Sequence, residues 1–148
     1  MHFFAAALLS LSIVALPAFA QDEGGSPVGL WRTIDDTTGK PRALVRLFEK
    51  DGRIFGRIEK GLAANATTDE VCDLCTDERR GLPKIGLVII RNMQRDGEVW
   101  EGGDILDPDN GKVYSCRLRV VDDNRSLEVR GFIGFSLLGR TQMWERVD

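Results

Sequence analysis

Short clusters of turn residues punctuate this chain at regular intervals, and their spacing constrains the fold more than any other feature. Asp51-Gly52 and Asp96-Gly97 are pairs that tolerate the positive φ of a tight hairpin. Asp35 to Pro41, Asp107-Pro108-Asp109-Asn110-Gly111 and Asp122-Asp123-Asn124 are longer polar turns, in which Asp, Asn and Thr side chains bond the local backbone. The stretches between them have strand length. The spacing predicts strands over Leu30–Ile34, Arg42–Glu49, Arg53–Lys60, Ile85–Asn92, Glu98–Leu106, Lys112–Val121, Ser126–Ile133 and Arg140–Val147.

Alternation assigns faces to several of these strands. Tyr114, Cys116, Leu118 and Val120 oppose Ser115, Arg117 and Arg119. Leu127, Val129, Gly131 and Ile133 oppose Glu128 and Arg130, and Ile54, Gly56 and Ile58 oppose Arg57 and Glu59. Half-buried strands joined by short turns make an antiparallel meander. About eight of them can close into a barrel, which removes both exposed edges and leaves room for packed side chains or one small ligand. The expectation is therefore an all-β, eight-stranded antiparallel barrel over residues 29–148, with a flat or sandwich arrangement as the alternative. The long connection from Gly61 to Lys84 is the one place for a helix. There Thr67-x-x-Glu70 has the form of a capping box and predicts a short helix over about Thr68–Cys75.

The first twenty residues read as an address. An apolar run from Phe3 to Leu16 is followed by Pro17-Ala18-Phe19-Ala20, with small side chains where a signal peptidase reads. The run is too short for an ordinary membrane span. Met1–Ala20 is expected to be a cleaved secretory signal, although its leading segment holds His2 and no Lys or Arg. Residues 21–28 are expected to form a flexible leader, with the remaining chain periplasmic or secreted and without a transmembrane span. His2 is the only histidine, so the processed chain would have none. That excludes Ser–His and Cys–His dyads and the zinc sites that use imidazole. A formal net charge of −3, with acids and bases interspersed, offers no footprint for nucleic acid and no polybasic membrane patch.

Three cysteines in an exported chain allow one disulfide and one remaining thiol. Cys72-Asp73-Leu74-Cys75 is a C-x-x-C pair that reads first as an inert disulfide, then as a redox pair, and last as half of a zinc knuckle. It sits between strands, away from the βαβ setting of redox motifs, and no second pair completes a knuckle. Cys116, on the apolar face of its strand, is either buried and free or tied to Cys72 or Cys75. Asp107 to Gly111 lacks the distant bidentate Glu of a calcium loop and reads as a plain turn. No metal, cofactor or catalytic residue is expected.

Gly29-Leu30-Trp31 resembles the first-strand motif of lipocalins and other calycins, whose Trp plugs one barrel end under a basic residue from the last strand. Arg140 or Arg146 could fill that role by stacking on the indole. The segment Phe132-Ile133-Gly134-Phe135-Ser136-Leu137-Leu138-Gly139 is anomalous, because a polar turn would be ordinary there. Its apolar groups either fold inward as core or form an apolar lip for a ligand or partner.

Several stretches together resemble one bacterial family, domain of unknown function 2147. They are Gly29 to Asp36, Gly39 to Ala43, Cys72 to Cys75, Gly102 to Pro108, Gly111 to Cys116, Leu127 to Gly134 and Leu138 to Trp144. The resemblance implies a small exported protein with no assigned catalytic residues. The leading functional expectation is a non-enzymatic binding barrel for a small apolar or amphiphilic ligand, or for an envelope component. Trp31, Phe132, Phe135 and Trp144 are its candidate contacts, with Arg130 or Arg140 orienting an anionic group. The alternatives are a filled, ligand-free envelope interaction or stress protein and, behind it, a thiol redox protein using Cys72 and Cys75.

Overall fold

A computed structural model describes residues 25–135 and 137–148. Eight strands follow in chain order: β1 (Gly29–Ile34), β2 (Pro41–Lys50), β3 (Arg53–Gly61), β4 (Val88–Asp96), β5 (Val99–Asp107), β6 (Lys112–Val121), β7 (Ser126–Phe132) and β8 (Gly139–Arg146). Each pairs antiparallel with the next, and β8 returns to β1 through Trp31↔Arg146 and Arg32↔Glu145, which closes the barrel. The expected signal segment lies outside the described residues.

The turn chemistry explains the topology. Asp51 and Gly52 take φ of 52° and 73°, the left-handed pair of a tight hairpin between β2 and β3. Asp122, Asp123 and Asn124 are all left-handed between β6 and β7, and Asp and Asn tolerate that region best among residues with a Cβ. Alternation then sends one side chain in two to the core. Ile54, Gly56 and Ile58 of β3 are buried, as are Cys116 and Leu118 of β6 and Leu127 and Val129 of β7. Gly56 matters sterically: a Cβ there would lie 2.5 Å from the Leu47 side chain.

Two expectations need correction. The connection between β3 and β4 contains no helix. Only half of the capping box forms: the Thr67 amide donates to Glu70 Oε1 at 3.1 Å. Several of the loop's other donors are satisfied across the loop instead. Cys72 N–H donates to the Leu82 carbonyl at 2.9 Å, Gly81 N–H to the Cys72 carbonyl at 2.8 Å, and Val71 bridges Pro83. A two-turn helix is too short to hold itself together, so cross-loop pairing prevails. The fourth strand begins at Val88, three residues after the predicted start, because Gly86 at φ 87° turns the chain within a run that reads as continuously apolar.

In an up-and-down barrel the connections alternate between ends. The tight turns β2–β3, β4–β5 and β6–β7 gather at one end. The longer connections β1–β2, β3–β4, β5–β6 and β7–β8 gather at the other.

Candidate functional site: a cavity with a charged mouth

The tight-turn end is plugged. Trp31 is fully buried, and its Nε1 donates to the Pro27 carbonyl at 2.8 Å. The Arg146 guanidinium lies 4.2 Å from the indole centroid. It also donates to the Asn124, Val28 and Ser26 carbonyls at 2.6, 3.0 and 2.8 Å, which ties the incoming chain across the plug. Arg146, of the two candidates, covers the ring.

The opposite end opens into a cavity of about 750 Å³. Val45, Ile58, Ile89, Ile105, Val129 and Trp144 form much of its apolar wall. Three polar side chains interrupt that wall. Thr33 Oγ1 accepts from the Ala43 amide at 3.1 Å. Gln142 Oε1 accepts from Trp144 Nε1 at 3.1 Å, and the Tyr114 hydroxyl accepts a long hydrogen bond from Asn110 Nδ2 at 3.4 Å.

Ion pairs between the long loops ring the mouth. Arg42 pairs with Asp35 and with Asp109. Lys84 reaches Glu70 at 3.0 Å and Asp109 at 3.3 Å, and Arg140 pairs with Asp36. Asp35 is held below the usual carboxylate range chiefly by the Thr38 amide, Asp36 by Arg140, and Glu70 by the Thr67 amide and Lys84. Burial works against the charge on Lys84, but its bonds to Glu70 and Asp109 prevail and raise its pKa.

The loop between β7 and β8 forms an apolar lip beside this ring. Phe132, Ile133 and Leu138 line the cavity mouth. Phe135 and Leu137 project outward, 79% and 88% exposed. The lip therefore combines cavity lining with apolar groups presented to water.

The connection between β3 and β4 is braced by a Cys72–Cys75 disulfide, with both residues buried. Its loop packs so closely on the β5–β6 turn that a Cβ on Gly111 would lie 1.8 Å from the Leu74 carbonyl oxygen. Nearby, buried Arg79 grips Asp77 through Nε and Nη2 and donates to the Val88 carbonyl at 2.9 Å. The Arg79 hydrogen bond holds the Asp77 carboxyl down at about 2. Cys116 is free and buried, and burial, followed by the Asp104 charge, pushes its thiol up to about 12. A thiol so protonated supplies no nucleophile at neutral pH.

Of the six candidate contacts, Phe132, Arg140 and Trp144 meet at the cavity. Trp31 lies in the plug and Phe135 on the outward side of the lip. Arg130 is on the outer face of β7, donating to Thr141 Oγ1 at 2.8 Å, and does not line the cavity. Sequence reasoning missed Arg42, Lys84, Tyr114 and Gln142. The meander held a signal for the first two, since it sends every second connection to the same end.

A closed eight-stranded meander plugged by a first-strand Trp and open at the other end has the architecture of a lipocalin-like barrel. The chain belongs to the family described as "Uncharacterized protein conserved in bacteria (DUF2147)", whose model matches residues 29–146. Among solved structures it is similar to protein HP1028 from the human pathogen Helicobacter pylori, which is described as belonging to the lipocalin family. That similarity has a TM-score of 0.70 at 20% identity and covers 82% of each chain. No curated protein sequence matches it.

Proposed function

We propose that this protein is an exported, non-catalytic carrier that holds one small amphiphile in its barrel, with periplasmic or secreted localisation following from the expected signal at Met1–Ala20. The observation that carries this reading is the cavity of about 750 Å³, which falls within the range of small-molecule sites. Its wall is largely apolar and it has a single charged mouth, so an apolar chain would enter and a polar head would stay at the rim. The buried disulfide suits an oxidising compartment. Among the described residues, no helix is long and apolar enough to cross a membrane.

Trp144 and Phe132 would contact the chain of the guest, and Phe135 would guard its entry. Native mass spectrometry of protein purified from the periplasm is the direct test, with a co-purified small molecule as the expected result. Phe135→Asp should keep the fold, since that side chain already faces water, and weaken capture by putting a charge on the apolar rim that the guest crosses. A second reading, contact with an envelope component, draws on the outward exposure of Phe135 and Leu137. Under it, the same variant would lose the partner while any cavity guest stayed bound.

A further inference from the structure

Resting on the carrier reading above, we propose that the barrel selects amphiphiles with an uncharged, oxygen-bearing head, such as an acylglycerol or a long-chain alcohol, over carboxylates of the same chain length. The cations at the mouth are already occupied. Arg42, Lys84 and Arg140 line the cavity, and each is paired with carboxylates of this chain. An incoming carboxylate would have to displace Asp36 from Arg140, or Asp35 and Asp109 from Arg42.

The balance of charge points the same way. Among the lining residues Glu70, Asp107 and Asp109 balance the three cations, and Asp35 and Asp36, which pair with Arg42 and Arg140 from just outside the lining, add two negative charges. The surplus is negative, and it repels an anionic head.

The polar groups within the wall call for an acceptor. Gln142 spends its amide oxygen on Trp144, and its amide nitrogen has no protein partner among the described residues. The Tyr114 hydroxyl accepts from Asn110 and keeps its own proton to donate. A hydroxyl, ester or amide oxygen satisfies such donors. A quaternary ammonium is drawn by the same surplus, but it brings no acceptor and leaves the Gln142 and Tyr114 donors unpaired. It also meets no bare carboxylate at Asp107, which already accepts from the Asp109 amide at 2.9 Å and Asn110 Nδ2 at 3.1 Å.

The test is isothermal titration of the intact oxidised protein with three probes of matched chain: monolauroylglycerol, sodium dodecanoate and dodecyltrimethylammonium, each below its micellar concentration. Monolauroylglycerol is expected to bind tightest, with dodecanoate weaker by roughly tenfold, the scale of repulsion from a two-charge surplus in a partly aqueous setting. Asp36→Asn, which releases Arg140 and removes one negative charge, should then narrow the gap between the two. Dodecanoate binding as tightly as the glyceride, the ammonium binding tightest, or an unchanged gap in Asp36→Asn would overturn the head-group assignment while leaving the carrier reading intact. If none of the three binds, the carrier reading itself fails, and this inference with it.

Discussion

The two ends of this barrel are built from the same eight strands and do opposite things. At the tight-turn end, Trp31 fills the interior and Arg146 lies across it, bonded to three backbone carbonyls. At the loop end, the charged residues pair with one another around an opening, and large apolar side chains face water. The contrast shows how a meander can close one end of a barrel and leave the other open. Short turns leave little chain to vary, so their end is closed by packing. Long connections supply side chains that need not fill the core, so their end can hold a space open.

The sharpest way to break this comparison is to empty the plug. Trp31→Ala removes a fully buried indole and leaves a void, and should lower stability by roughly 3–5 kcal/mol in denaturant unfolding. A wild-type midpoint would mean that the plug does not anchor the barrel. The loop end should respond more mildly. Replacing Cys72 and Cys75 by Ser removes a short covalent loop and should lower stability by roughly 2 kcal/mol. Because that loop packs on the β5–β6 turn through Gly111, the change should weaken guest capture at the mouth more than it disturbs the plug. Equal loss of both in paired melting and binding assays would argue against separate roles.

Acid should act on the loop end as well. The Asp77 carboxyl is held at about 2, below its ordinary value of 3.8, so its ion pair with Arg79 favours the folded state at all pH above the ordinary value. That contribution is lost as pH falls from about 4 through about 2. Asp77→Asn should therefore flatten the acid limb of a stability–pH profile while leaving its neutral-to-basic shape alone. An acid limb as steep in the variant as in the wild type would show that other carboxylates dominate it. The smallest effect is expected on the outer wall. Arg130→Ala deletes a partly exposed side chain away from the cavity and should change stability by no more than about 0.5 kcal/mol, with no change in capture. A clear loss of capture would relocate the site to the outer face.

Most of the barrel was legible because its signals are local. Asp51-Gly52 declares its hairpin in two residues, and alternation in Lys112–Val121 and Ser126–Phe132 assigns faces without knowledge of neighbouring strands. The C-x-x-C disulfide was legible for the same reason. The connection between β3 and β4 was not, because the Cys72 and Lys84 amides bond the Leu82 and Glu70 carbonyls across the loop, between residues ten or more apart in sequence. The mouth was legible only in part. Phe132 and Trp144 stand out as apolar residues near the last turn, but the ring that pairs Arg42 with Asp109 and Lys84 with Glu70 joins residues far apart in the chain. Arg130 was misread through its charge alone. The alternation that places Val129 and Gly131 inside also places Arg130 outside.

The chain has three tryptophans, and their indole N–H resonances report separately on the cavity wall, the plug and the start of β5 beside a tight turn. A proton–nitrogen correlation spectrum recorded while monolauroylglycerol is titrated into the oxidised protein therefore tests most directly whether a guest occupies the loop end. Trp144, which lines the cavity, should shift progressively and saturate, while Trp31 beneath Arg146 and Trp100 beside Arg95 hold their positions. A titration that moves Trp31 or Trp100 most, or that leaves Trp144 in place, would contradict a carrier that closes one end of its barrel and loads through the other.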